Sequence, residues 1–398
     1  MNRGRTASDF DCSPHFDDSY WMRAAALKES IHAISLERLR ARLKEAGHPG
    51  YRAEQVLEWV YQKRVAGFDQ MTNLPAALRA TLADEFAFHA LDPVRVLGSE
   101  DTTRKYLFRL ADGALIESVL IPASPALYGE ASDRRTLCVS TQVGCAYGCK
   151  FCASGLDGWS RNLGAGEIVG QILRVEALSG ERISNLVFMG MGEPLANFAN
   201  LTSALEILNS PWGVGIGARR ITVSTSGLAP QIRMLADNPL QVRLAISLHG
   251  ASNEVRQQIM PVNRKYPLEI LLEACAYHAE RKKQRITFEY ILIENVNDRE
   301  EDAVALVKVA NKIKAKVNCI PYNSVEGLAW KRPDESRQDE FMAVLERGGV
   351  SATIRREKGH DIAAACGQLR RQTLPSNATA DLGFADSPMT GCTKEAGS

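Results

Sequence analysis

Val143-Gly-Cys-Ala-Tyr-Gly-Cys-Lys-Phe-Cys-Ala-Ser-Gly155 places three cysteines, Cys145, Cys149 and Cys152, in a C-x3-C-x2-C run. Three closely spaced thiolates can hold three irons of a four-iron cluster and leave the fourth without a protein ligand. An open iron is a binding position for a small molecule, so the run reads as a reaction centre rather than an electron wire. A zinc site calls for a fourth Cys or His close by, usually with paired C-x2-C spacing. The nearest histidines in sequence are His89 and His249, both remote. A structural metal knuckle or three unrelated core thiols explains the run less well.

Around this run the chain alternates strands with helices from about Pro93 onward. Strand candidates are Lys105–Leu110, Leu115–Ile121, Thr136–Ser140, Asn185–Met189, Arg220–Ser224, Val242–Ser247, Ile286–Ile293, Val317–Pro321 and Ala352–Arg355. Helical stretches fall at Ala165–Leu178, Leu201–Leu208, Leu268–Arg281, Glu300–Lys314 and Ser336–Arg347. The alternation predicts an α/β fold with a parallel sheet, read as a six-stranded partial (βα)6 barrel, with an open doubly wound sheet as the alternative. In either architecture the chemistry belongs at the C-terminal strand ends. The unusual loops fall there: the cysteine run, Gly190-Met-Gly-Glu-Pro194, Ser224-Thr-Ser-Gly227, Ser247-Leu-His249 and Tyr322-Asn323.

Before the barrel, residues 30–92 read as a small helical accessory domain. Leu36, Leu39 and Leu43 repeat at helical spacing, as do Val56, Leu57, Val60 and Tyr61. Leu74-Pro-Ala-Ala-Leu78 opens a third helix, its proline suited to a first turn. The domain carries Arg38, Arg40, Arg42, Lys44, Arg52, Lys63 and Arg64, a solvated face or an RNA-docking one. Residues 1–29 and 374–398 are polar and read as disordered ends; 93–373 form the barrel and its C-terminal segment.

Composition sets the limits. At 398 residues the chain accommodates one large domain and one small one. A formal net charge of +1 announces no global attraction to nucleic acid. Nine cysteines in such a length do not form a disulfide scaffold. The N-terminus has no apolar core of a signal peptide, and no apolar run reaches spanning length. A cytoplasmic setting with no membrane partner is expected, as an oxygen-sensitive cluster needs.

The cysteine spacing resembles that of the radical S-adenosylmethionine (SAM) enzymes, in which SAM's amino and carboxylate groups chelate the open iron. Gly190-Met-Gly-Glu-Pro-Leu195 then resembles the glycine-glutamate loop that holds SAM's amino group in those enzymes, with Gly192 allowing close approach and Glu193 offering a carboxylate. Ser224, Ser247, Leu248 and His249 fall where that likeness puts contacts to SAM's carboxylate and ribose, and Asn323 where ribose or adenine lies. Taken singly, a Ser or Asn at a strand end is more often a helix cap.

Two lone cysteines narrow the likeness. Cys138 precedes the cluster run in Leu137-Cys-Val-Ser-Thr-Gln-Val-Gly144, and Cys366 lies in Asp361-Ile-Ala-Ala-Ala-Cys-Gly-Gln-Leu369. With Tyr51-Arg-Ala-Glu-Gln55, Met71-Thr-Asn-Leu-Pro75 and Phe188-Met-Gly-Met-Gly-Glu-Pro-Leu195, roughly residues 30–371 resemble the RlmN/Cfr-type radical-SAM RNA adenine methyltransferases. The resemblance implies a radical-SAM barrel, one [4Fe-4S] cluster and two SAM molecules per turnover. One SAM methylates Cys366; the other is cleaved to a radical that removes a hydrogen from the S-methyl group. The carbon radical adds to adenine, Glu117 takes the ring proton, and Cys138 attacks the Cys366 sulfur, leaving a disulfide for a thiol reductant to reopen. Glu117, in Leu115-Ile-Glu-Ser-Val-Leu-Ile-Pro122, also fits a strand residue facing solvent.

The expected substrate is adenine carbon 2 of 23S rRNA near the peptidyl-transferase centre, with tRNA as a second substrate and flavodoxin or ferredoxin as electron donor. A Cfr-type carbon-8 enzyme is the nearest alternative; the proline of Gly190-Met-Gly-Glu-Pro194 leans toward carbon 2. A methylthiotransferase needs a second cysteine cluster, an activase has no use for Cys138 and Cys366, and a metal-containing RNA-binding module is the non-enzymatic reading. Arg281, Lys282, Lys283 and Arg285, and Arg355, Arg356, Lys358, Arg370 and Arg371 around Cys366, are the RNA-contact candidates. Ala123-Ser-Pro-Ala-Leu-Tyr-Gly-Glu-Ala-Ser-Asp-Arg-Arg135 reads as an inserted surface loop.

Overall fold

The computed structural model of the chain describes residues 28–88, 91–123, 133–156, 158–355, 359, 361–365 and 367–369. Most of both expected disordered ends, most of the inserted loop, Arg356, Lys358, Arg370, Arg371 and Cys366 itself lie outside these residues.

The accessory domain contains three helices: α1 (Leu36–Glu45), α2 (Arg52–Tyr61) and α3 (Ala76–Glu85). Each buries the stripe that its sequence spacing marks. Leu36, Leu39 and Leu43 are the buried residues of α1, and Val56, Leu57, Val60 and Tyr61 line the buried side of α2. Ser35 caps α1 by accepting from the Arg38 amide at 3.3 Å. Pro75 stands one residue before α3, at its cap. The domain is not purely helical: β1 (Glu29–Ser30) pairs in parallel with β2 (Phe86–Ala87), tying its two ends together.

One ten-stranded sheet makes the rest. β3 (Asp92–Gly98), β4 (Arg104–Arg109) and β5 (Leu115–Pro122) form an antiparallel extension that joins β6 (Arg135–Cys138). From β6 the pairing is parallel through β9 (Asn185–Phe188), β10 (Ile221–Thr225), β11 (Arg243–Ser247), β12 (Thr287–Leu292), β13 (Lys316–Pro321) and a short β14 (Ala352–Ile354). The six expected barrel strands are therefore present, with β14 added at one edge and the extension at the other. A hairpin, β7 (Gln142–Gly144) and β8 (Trp159–Asn162), brackets the cysteine run. Helices α4 (Ala165–Ser179), α5 (Phe198–Asn209), α6 (Ala229–Asp237), α7 (Asn253–Ile259), α8 (Leu268–Lys282), α9 (Glu300–Ile313) and α10 (Glu335–Arg347) connect the strands. None of the described helices is long and apolar enough to cross a membrane.

The accessory helices and the barrel share one continuous apolar core, from Ile31 and Leu39 through Ile168 to Phe288. A side chain at Gly166 of α4 would strike Ser30 Oγ, 2.7 Å from an added Cβ, so that glycine sets the closeness of the junction. Arg64 crosses to Glu176 at 2.7 Å. Arg38, Arg40, Arg42 and Lys63 each pair with a nearby carboxylate.

Register assigns the inner face. Ser247, Glu289, Asn318 and Thr353 are direct partners across β11, β12, β13 and β14, so a polar row crosses the barrel floor. Cys138 lies opposite Val119 of β5, and Glu117, two residues from Val119, shares that face.

One buried group makes the fold acid-sensitive. His278 of α8 is buried and neither ring nitrogen has a hydrogen-bond partner. Burial, and secondarily the Lys282 charge, hold its pKa down at about 4. An unfolded histidine titrates near ~6.5. The unfolded chain therefore binds a proton that the fold excludes, and stability falls as pH drops from about 6.5 toward 4. His278→Leu is expected to raise unfolding free energy by about 2 kcal/mol more at pH 5 than at pH 8. Urea titrations at both pH values measure this, and an equal change at both would refute it.

Candidate active site

The site starts where the strand entering the cysteine run meets the loop after β9. Gly190 N–H donates to Val139 O at 3.1 Å, and Met191 N–H to Ser140 Oγ at 2.9 Å. Met191 O accepts from Thr141 N at 2.8 Å, and Glu193 N–H donates to Gln142 Oε1 at 2.8 Å. The glycines of Gly190-Met-Gly192 make this contact possible. An added Cβ on Gly190 would lie 2.7 Å from Val139 O, and one on Gly192, whose φ is +98°, 2.5 Å from Gln142 Cβ. Their missing side chains make room for the neighbouring strand, and both glycines also line the cavity.

Ser140 is the knot beneath. Its hydroxyl donates to Glu117 O at 2.6 Å, and its backbone N–H and C=O bond the amide of Gln171 on α4, both at 2.9 Å. Ser118 Oγ reaches the same amide at 2.8 Å. Asn197 bonds Thr141 O at 2.9 Å and Leu163 O at 2.7 Å, closing the far side.

Glu193 is buried in the cavity wall. Oε1 accepts from Leu195 N at 3.0 Å and Oε2 from Ser226 N at 2.7 Å. Burial raises its pKa, opposed by these hydrogen bonds. The carboxylate therefore links the β9 and β10 loops as well as facing the cavity.

Cys145, Cys149 and Cys152 line this same cavity with Gly192, Glu193, Ser224, Ser247 and His249. Gly144, at φ +74°, packs so tightly on the Gly158 carbonyl that no side chain fits, and Cys145 N–H donates to that carbonyl at 3.0 Å. Lys150 N–H is fixed by Ile259 O of α7 at 2.9 Å. Burial raises Cys145 to about 12 and Cys149 well above its ordinary value. Neutral thiols at these positions become thiolates only with a metal's charge to hold them. Among the described residues no three donors converge tightly enough for a single ion. Thiols spread around a cavity wall suit a four-iron cube, whose ligands bind different irons. The donor set fits a cluster.

His249 is buried with φ +53°, and Nδ1 accepts the Ile291 amide at 3.0 Å. Its proton therefore sits on Nε2. Burial and then the Arg256 charge hold the pKa down at about 3, so the ring stays neutral. Leu248 is buried outside the cavity lining, and its N–H donates to Glu289 O at 3.0 Å. Asn323 is buried and accepts from Arg332 at 3.2 Å, also away from that lining.

Glu117 does not face solvent. It is buried and ion-paired to Lys105 at 3.1 Å, and Lys105 also donates to Ala363 O at 3.1 Å. The residues flanking Cys366 run along the cysteine loop: Ala153 N–H donates to Gly367 O at 2.7 Å, Ser154 Oγ to Leu369 O at 2.6 Å, and Gly367 lines the cavity.

Several participants carry no sequence signal of their own. Glu289 is buried on the floor, its pKa raised by burial, and accepts from Asn318 at 2.6 Å. Lys105, Gln171 and Arg256 are equally unmarked; only an ionic or amide residue inside an apolar strand or helix stripe hints at them. Part of the basic cluster on α8 is structural. Lys282 is buried and caps Asn238 O and Leu240 O, the second at 2.8 Å, and Arg281 pairs with Asp237 at 3.3 Å.

Comparison with known proteins agrees with this site. Residues 139–307 match the Radical SAM superfamily, and residues 31–87 the ribosomal RNA large subunit methyltransferase N-terminal domain. A probable dual-specificity RNA methyltransferase RlmN from Akkermansia muciniphila is 56% identical over 340 residues, 85% of this chain and 95% of the relative. Another from Opitutus terrae is 53% identical over 362 residues, 88% of this chain and 97% of the relative. The crystal structure of a radical SAM methyltransferase from Sphaerobacter thermophilus superposes with a TM-score of 0.80 at 42% identity, covering 86% and 99% of the two chains. Full-length likeness of this kind, on a fold whose cysteine loop and glycine-glutamate loop build one cavity, means that the chain belongs to the RlmN-type radical SAM RNA methyltransferases.

Proposed function

We propose that this enzyme methylates carbon 2 of an adenine in 23S rRNA near the peptidyl-transferase centre, and an adenosine in tRNA, through a methyl group carried on Cys366. The observation that carries the reading is the meeting of two remote segments. Residues beside Cys366 lie along the cysteine loop, while Cys138 and Glu117 share the inner face of the sheet that feeds it. The dual-specificity RNA methyltransferase names of the relatives support an RNA substrate of two kinds.

In this reading Cys145, Cys149 and Cys152 hold one [4Fe-4S] cluster. Glu193, Ser224, Ser247 and the Nε2–H of His249 orient SAM in the cavity they line. The bound cluster and two SAM molecules supply the methyl group and the oxidising radical, with electrons from a flavodoxin or ferredoxin. Cys366 would present the methyl carbon to adenine, the adduct giving up one electron back toward the cluster as Glu117 accepts the ring proton. Cys138 thiolate then attacks the Cys366 sulfur, breaking its bond to the methylene, which takes up a proton as the product methyl. A thiol reductant reopens the resulting disulfide, in keeping with a cytoplasmic enzyme. The target base must leave its stack to reach Cys366.

Mass spectrometry of ribosomal RNA and tRNA from cells with and without the gene tests the reading. Loss of 2-methyladenosine is expected; loss of 8-methyladenosine would replace carbon 2 by carbon 8. Cys138→Ala should trap a covalent RNA–protein adduct under reducing conditions with SAM, and free product at the normal rate would refute its role. Cys366→Ala should abolish methylation.

Lys105 gives a separate test. Removing one partner of a buried ion pair costs about 3–5 kcal/mol. Lys105→Met is expected to destabilise by that order. It should also move the acid limb of the pH–rate profile upward, because an uncompensated buried carboxyl loses its proton less readily. Single-turnover assays across pH measure this, and an unchanged acid limb would separate Glu117 from proton transfer.

A further inference from the structure

Arg256 of α7 is fully buried, and among the described residues no carboxylate lies within ion-pairing distance of it. Its partners are neutral: Nη2 donates to Ser226 O, and Nη1 to Asn263 Oδ1 at 3.0 Å and more weakly to Tyr266 O at 3.4 Å. Nε is buried without a hydrogen-bond partner. The chain is shaped around this side chain. An added Cβ on Gly227 would lie 2.8 Å from Nη2, and one on Gly250 2.8 Å from the Arg256 amide nitrogen.

A guanidinium does not shed its proton to escape such a site. A buried charge without a counter-charge costs several kcal/mol. Helix α7 reaches the cysteine run directly, because the amide of Lys150, next to Cys149, donates to Ile259 O at 2.9 Å, three residues after Arg256. Cys149 is thus a metal-ligand candidate close to the guanidinium. A four-iron cluster on three thiolates is anionic, and more so when reduced; nearby charge and hydrogen bonding set its potential.

We propose that Arg256 is a positioning residue of the cluster, its buried guanidinium serving as counter-charge to the thiolate-held iron and anchoring the Ser226 peptide. Ser226 is held on both sides of its Cα, its C=O accepting from Arg256 and its N–H donating to Glu193 at 2.7 Å. The same side chain thus acts on the cluster by charge and on the SAM pocket by position. The inference rests on the placement of the cluster at Cys145, Cys149 and Cys152.

The test compares wild type, Arg256→Lys and Arg256→Met after anaerobic reconstitution, with iron content, dithionite titration followed by electron paramagnetic resonance, and thermal unfolding with and without cluster. Arg256→Met keeps the volume and removes the charge. Its cluster is expected to be at least tenfold harder to reduce, about 59 mV more negative for one electron, while Arg256→Lys stays near wild type. Cluster loading should also stabilise wild type more than Arg256→Met. A fully loaded Arg256→Met with unchanged potential would overturn the proposal, as would equal stabilisation by the cluster. If Arg256→Met takes up no iron, the apo proteins decide: a variant at least as stable as wild type supports the counter-charge role, and a less stable one assigns Arg256 to the fold alone. A triple Cys145→Ala/Cys149→Ala/Cys152→Ala protein that still binds the cluster would instead refute the cluster's placement.

Discussion

The site depends on one close contact, the zipping of Val139–Gln142 onto Gly190–Glu193. These stretches continue β6 and β9 past the end of their regular pairing, and they touch because two glycines present nothing to separate them. The contact fixes the entry of the cysteine loop and the position of Glu193 together, so the two loops that wall the cavity share one backbone reference. Gln171 holds the assembly to α4, because its amide satisfies both backbone groups of Ser140. A buried peptide without those partners is expensive, so packing and polar satisfaction act together here.

Around that contact the interior carries more charge than a barrel core needs. Glu117 with Lys105, Glu289 with Asn318, Glu193 between two amides, and Arg256 are all buried. Apolar side chains of similar volume would stabilise such a core as well or better. Each group instead faces the inner surface or the cysteine loop and is held by hydrogen bonds that fix its direction. Preorganised dipoles and charges of this kind suit the active site of a radical SAM methyltransferase. Stability alone does not account for them.

Most of the fold was legible because periodicity records burial. The stripe of α1 and the apolar runs of β9 to β13 announce themselves, and the expected strands sit within a residue or two of the observed ones. Helix α7 did not, being short and mostly polar at Asn253–Ile259. Of the extension strands, β4 and β5 were legible as strands; β3, mostly exposed, and the antiparallel pairing of all three were not. The cysteines and strand-end loops stood out by residue type. Lys105, Glu289 and Arg256 did not, since one charged residue looks alike inside and outside until register is known. Within the basic run Arg281–Arg285, Lys282 is spent capping the turn after α6, a role that residue type does not announce.

Lys105 shows how far the placement of the Glu117 carboxylate and of the C-terminal segment are a single event. Its ammonium bonds the Glu117 carboxylate and the Ala363 carbonyl together, and both bonds are 3.1 Å. With the segment away, the ammonium would lose one of these bonds. With Lys105 away, the carboxylate would be buried without its cation. The segment's other ties include hydrogen bonds, Gly359 N–H donating to Asp101, Gln368 to Ser324 O, and Ala153 and Ser154 donating to Gly367 O and Leu369 O, beside the buried Ala364 and Leu369. Docking of the segment therefore completes the hydrogen bonding of the ammonium that pairs with Glu117.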